Sequence, residues 1–159
     1  MVTLYNLISD IQNKFSEGCP NGFLLEWDVN RFFHALLSLF DGYKVINDTD
    51  FNYSYCNSYD VELGEDENND VFILTLKASF ISDAYTIHIT RYSSDRRNGV
   101  VIPYENCLEY ESEIAKVKGF IENEGFVEVQ SNEMDVVVEN VELELAGPAT
   151  VGKCLFDDF

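Results

Sequence analysis

The groups with which this chain could do chemistry are scarce in one class and abundant in another. There are two histidines, His34 and His88, four cysteines, Cys19, Cys56, Cys107 and Cys154, and 29 acidic residues in 159. A zinc site draws on imidazole or thiolate ligands at close spacing, as in HExxH, HxH or CxxC, and no such spacing occurs. A Cys–His nucleophile pair would have to assemble from remote positions. The phosphate-cradling patterns GxxxxGK[ST] and GxGxxG are missing. No catalytic residue, metal or cofactor is therefore expected. His34 follows Phe33 and His88 lies between Ile87 and Ile89, contexts that read as half-buried structural or solvent-facing histidines. Paired carboxylates could serve hydrolysis, but 29 acids always offer pairs, and without geometry the pairing carries no signal.

The acids themselves are the strongest feature. Ten basic residues leave a net charge of −19, against a magnitude of about 2–8 for an ordinary small domain. Such a surface repels phosphate backbones and anionic lipid, which excludes nucleic acid and membrane surfaces as partners. It attracts cationic surfaces and speeds encounter with them. Residues 105–159 alone hold 14 acids and three bases. Two clusters stand out as partner-binding candidates: Glu65, Asp66, Glu67 and Asp70 in one acidic run, and Glu109 and Glu113 further on. The run has neither the spacing nor the central glycine of an EF-hand. It reads as a solvated hairpin loop or as a contact loop for a cationic partner. Glu109, Glu111 and Glu113 in the first turns of a helix also suit its dipole. Asp157 and Asp158 close a terminal CLFDDF that reads as a frayed tail.

The elements that must carry these groups follow from periodicity. Leu4, Leu7, Ile8, Ile11 and Phe15 share one helical face, with Thr3 as cap and Gly18 and Pro20 as terminators. A second helix is predicted over Asp28–Phe40, capped by Asp28 and ended by Gly42. From Tyr43 to Leu63 the period changes to two. Val71–Ile81 and Ala84–Tyr92 are the clearest strands, joined through Ser82 and Asp83 as a tight antiparallel hairpin. Val100–Tyr104 is a short strand, 106–122 a helix with Gly125 beyond its end, and Phe126–Gln130, Asp135–Leu145 and Thr150–Phe156 are predicted strands. The fold class expected is α+β: one domain over 1–159, a mostly antiparallel sheet with two N-terminal helices and one later helix packed on it. With 46% hydrophobic residues and 12 Phe, 9 Tyr and 1 Trp, the acid is displayed on a folded body and not on a disordered tail. No run approaches the ~20 apolar residues of a membrane span. The widely spaced cysteines and a start without basic and apolar signal regions favour free thiols in a cytoplasmic protein.

Size, acidity, the lack of a signal or catalytic motif, and the segment VFILTLKASFISDAYTIHITRY followed by a helix ending in GF together point to one family type. The chain resembles the immunity proteins of bacterial polymorphic toxin and contact-dependent growth inhibition systems. That resemblance implies a protein that binds and neutralises a cognate toxin domain, basic where the toxin is a nuclease. It implies no residue roles. Aromatic anchors within an acidic rim would supply affinity, with Tyr53, Tyr55 and Tyr59 as candidates, although cross-strand packing explains them equally well. Two alternatives share the charge or the size: an acidic DNA mimic that blocks a nucleic-acid-binding protein, and a small enzyme with His34 or His88 beside a carboxylate in a pocket.

Overall fold

The computed structural model describes residues 3–144 and 147–157. Its elements run α1 (Leu4–Lys14), α2 (Phe33–Leu39), β1 (Lys44–Asn47), β2 (Cys56–Glu65), β3 (Val71–Ser79), β4 (Ala84–Tyr92), β5 (Gly99–Ile102), α3 (Glu111–Asn123), β6 (Val127–Glu128), α4 (Ser131–Met134) and α5 (Val151–Leu155). Two 3-10 turns, Tyr104–Asn106 and Leu108–Tyr110, lead into α3. Strands β1 to β5 lie in chain order, each antiparallel to the next, and β6 pairs parallel with the start of β4. This is the α+β class the sequence predicts, with β3 in the middle of the sheet.

Alternation decides the two faces. Val61, Leu74 and Ile89 form one cross-strand row, and Tyr59, Leu76 and Ile87 the next. All six are buried, packed under Leu36 of α2, Phe40 at its C-terminal cap, and Ile114, Val117 and Ile121 from α3. The Tyr59 hydroxyl donates to the Arg31 carbonyl, so its polar end is satisfied inside this core. A second apolar cluster lies at the β3–β4 connection. There Leu7 and Ile11 of α1 and Phe15 at its C-terminal cap meet Val151, Cys154 and Leu155 of α5 around Phe80 and Ile81. The Thr3 hydroxyl accepts from the Asn6 amide at 3.2 Å, capping α1 as expected.

Four segments depart from the sequence reading. The second helix starts at Phe33 and not at Asp28, because Phe32 takes a left-handed conformation with φ 70°. That strain is offset by its ring, which stands edge-on to Phe120 and Phe126 at 5.7 Å each and beneath the Arg31 guanidinium at 4.7 Å. The Asp28 carboxylate accepts the Asn30 amide at 2.9 Å, closing a turn where a helix cap was expected. The expected strand Thr150–Phe156 is helix α5, with the Thr150 hydroxyl accepting from the Lys153 amide at 3.2 Å. Its Val, Cys and Leu are buried on every side, which hides the period. The expected strand Asp135–Leu145 contributes only an isolated bridge between Val137 and Thr150, and Leu145 lies outside the described residues. Nor is the CLFDDF segment frayed up to Asp157: Cys154, Leu155 and Phe156 are core residues and Asp157 bridges to Ser54. Asp158 lies outside the described residues.

Truncating Ile121, fully buried beneath the sheet, to alanine should lower the unfolding free energy by about 2–5 kcal/mol in urea titration. Leu24→Ala, at a position 85% exposed, should stay within about 0.5 kcal/mol of the parent. Equal effects at the two positions would contradict this packing.

Candidate functional site

The acidic run forms the β2–β3 hairpin loop. One oxygen of Asp66 accepts the amides of Asn68 at 2.9 Å and Asp70 at 3.0 Å, tying the turn. Arg91 reaches over from β4, its Nε 2.9 Å from Asp70 and its terminal nitrogen 3.3 Å from Asp66. Asp66 and Asp70 therefore hold the loop, while Glu65 and Glu67 are exposed. Glu109 is exposed in the 3-10 turn before α3. Glu113, in the first turn of α3, accepts the Tyr43 hydroxyl at 3.2 Å, and that bond raises the phenol's pKa. The other Glu113 oxygen is buried with no hydrogen-bond partner among the described residues.

These two acidic stretches, distant in sequence, meet at Tyr110. Its ring packs on Phe72 at 5.4 Å. Its pKa is raised first by burial, then by the charges of Glu109, Asp66 and Glu113. Gly64 sits at a bulge in β2 with φ +155°, and a Cβ there would stand 3.3 Å from the Tyr110 hydroxyl, so a small residue keeps the tyrosine in place. Of the other proposed aromatic anchors, Tyr55 and Tyr59 are buried and belong to the cores, whereas Tyr53 is 67% exposed.

The opposite face of the sheet carries a second constellation, which no sequence motif marks. Asp60, Thr75 and His88 form one cross-strand row, and Ser58, Lys77 and Thr86 form the row beside it. Two adjoining cavities of about 620 and 480 Å³ open on this face and share Lys77, His88 and Asp157. The larger is mainly apolar, walled by Val101, Ile102, Met134 and Phe156. The smaller is polar, with Asp48, Asp50, Asp60, Ser58, Thr75 and Thr90 among its walls. At the junction Lys77 is ion-paired with Asp157. The signal for this face was in the sequence as the polar half of each alternation. What the alternation withholds is the register that turns Asp60, Thr75 and His88 into neighbours.

Electrostatics there follow from burial. Thr75 donates to Asp60 at 2.6 Å, which favours the carboxylate, yet burial dominates and raises its pKa, with Asp48 adding repulsion. His88 is held below the usual imidazole value by burial and by the Lys77 charge, partly opposed by Asp157. The imidazole is thus neutral near pH 7 and offers one donor and one acceptor nitrogen. His34, by contrast, is exposed on α2. Among the described residues the four cysteines form no disulfide, and no cluster of three His, Cys, Asp or Glu is arranged to hold a metal ion.

Comparison of the chain with protein-family models, with curated proteins and with solved structures returned no match. The site is therefore read from its own chemistry.

Because the folded-state pKa of Asp60 is raised, the folded protein holds this proton more tightly than the unfolded chain. Its contribution to stability then falls as pH rises from the ordinary carboxyl value, near 4, through the raised folded value. Asp60→Asn, which keeps an oxygen for Thr75, should raise Tm at pH 7, and the gain should shrink as pH approaches ~4. A Tm difference that does not change with pH would contradict the burial cost.

Proposed function

We propose that this protein binds and neutralises a basic protein partner, as an immunity protein neutralises a toxin domain, and that it acts in the cytoplasm. A nuclease-type domain with a cationic cleft is the partner class that fits an anionic surface. One observation carries the reading: the charges of Asp66 in the β2–β3 loop, Glu109 in the 3-10 turn and Glu113 in α3 all act on Tyr110, whose ring lies tilted against Phe72. An aromatic within an acidic rim is the arrangement in which the ring supplies affinity and the acids supply steering and register. The ion pairs between described residues draw in Glu62, Asp66, Asp70, Glu128 and Asp157. Exposed acids such as Glu65, Glu67, Glu109, Glu111 and Glu124 are left facing solvent. Thiols outside disulfides suit a reducing compartment, and among the described residues no helix is long and apolar enough to cross a membrane.

One observation favours an enzyme instead, namely the row Asp60–Thr75–His88 beside a cavity. In a nucleophile triad the histidine stands between hydroxyl and carboxylate and takes the hydroxyl proton. Here the Thr75 hydroxyl is committed to Asp60 at 2.6 Å. The row is wired to hold Asp60 in place, and binding is the better account.

The test is recovery of the native complex. Tagged protein expressed in its own host should bring down one basic protein in stoichiometric amount. The double reversal Glu67→Lys and Glu109→Lys, at exposed positions, should slow association with it by about tenfold without changing Tm. Asp70→Lys and Glu113→Lys should lower Tm as well, since those acids hold Arg91 and Tyr43. A neutral or acidic partner, or an association rate untouched by the double reversal, would refute the proposal.

A further inference from the structure

The polar cavity on the β2–β3–β4 face is lined by groups that accept hydrogen bonds. Asp48, Asp50 and Asp60 supply carboxylates, and Lys77, the one lysine among the described lining residues, is engaged by Asp157. An acidic cluster alone says little, since water serves it well. A second observation is independent of the charge. Ser58 and Thr90 both line this cavity and are each only 8% exposed. Among the described residues neither hydroxyl has a hydrogen-bond partner, although each oxygen keeps some access to the cavity. His88 stands between them on the same face, its ring likewise without a hydrogen bond among the described residues. Water serves these groups while the cavity is open, and a ligand that fills it must supply hydrogen bonds in place of that water. Their complement must donate hydrogen bonds, carry positive charge and be small enough for a cavity of about 480 Å³.

We infer that this cavity receives the guanidinium of one arginine side chain from the basic partner. A guanidinium has five N–H donors in a planar fork and no acceptor, so it can satisfy several of Asp48, Asp50, Asp60, Ser58 and Thr90 together. An ammonium has three donors and would leave more of them unpaired. The adjoining apolar cavity of about 620 Å³, with Val101, Ile102, Met134 and Phe156, accepts the apolar neighbour of that arginine in an extended segment. The inference rests on the proposed function only in naming the source of the guanidinium. The cavity lies on the face of the sheet opposite Tyr110, so it adds a second point of attachment.

The probe is Nα-acetyl-arginine amide, titrated into the isotope-labelled protein and followed by NMR. Saturable shifts should appear at Ser58, Thr75, His88 and Thr90, with Kd in the millimolar range expected of a single side chain. The citrulline analogue, equal in shape but uncharged, should bind at least tenfold more weakly. Asp60→Asn should weaken the arginine probe about fivefold or more, and Thr90→Val severalfold. Asp48→Asn, at an exposed position, provides a variant that leaves the fold intact. n-Butylammonium and spermidine should bind more weakly than the arginine probe. Tighter binding of either would overturn the guanidinium assignment. Shifts spread over Glu65, Glu67 and Glu109, or equal shifts with citrulline, would overturn the site itself. If the arginine probe fills the cavity but no basic partner is recovered, the site stands and the proposed function falls. If a basic partner binds with no shift at Thr90 and no effect of Asp60→Asn, the function stands and the site falls.

Discussion

Burial of the β2–β3–β4 apolar rows beneath α2 and α3 is the interaction on which the other features depend. Tyr59, Val61, Leu74, Leu76, Ile87 and Ile89 supply the sheet side, and Ile114, Val117 and Ile121 the helix side. At roughly 25 cal/mol per Å² of apolar surface removed from water, this is the force that opposes the self-repulsion of a chain with net charge −19. Basic residues relieve that repulsion at a few chosen points. Arg91 ties Asp66 and Asp70, Lys118 meets Glu128 at 3.3 Å, and Arg96 meets Glu62 at 2.7 Å. These pairs are partly exposed, so each adds little stability. They direct loops and leave the remaining acids facing solvent.

The same alternation that builds the core builds the second face. Each apolar position turned toward α3 fixes a polar position turned away, so Asp60, Thr75 and His88 are held by the rigidity of three paired strands. A site on strands is positioned more exactly than one on loops. The loop at Glu65–Asp70 achieves comparable order only through Asp66 turning back on its own backbone and through Arg91. The two surfaces differ accordingly: one is an acidic rim around an aromatic, the other a recess with buried hydroxyls.

The β3–β4 pair was legible because each strand runs nine residues of apolar and β-branched sequence, and α1 because its apolar stripe and Thr3 cap agree. Other elements were obscured for stated physical reasons. Helix α5 is only five residues long and buries all of them but Lys153, which leaves too little of a period to separate helix from strand. The start of α2 was misplaced because tertiary contacts of the Phe32 ring override a helical pattern that continues through it. A two-residue turn at Ser82 and Asp83 would have set Lys77 opposite His88. The strands instead end at Ser79 and resume at Ala84, which sets Thr75 opposite His88. The acidic candidates were visible as composition, yet their sorting into Asp66 and Asp70, bound to Arg91, and exposed Glu65, Glu67 and Glu109 is a property of the folded chain alone.

The central claim is that the surface charge exists to meet a cationic partner. It is tested most directly by the association rate constant of the native pair, measured as ionic strength rises from about 10 mM to 1 M, where the screening length falls from about 30 to about 3 Å. The account predicts a rate that falls by about ten- to a thousandfold while the dissociation rate changes far less. An association rate constant independent of salt would show that the acid serves solubility, and would contradict the account.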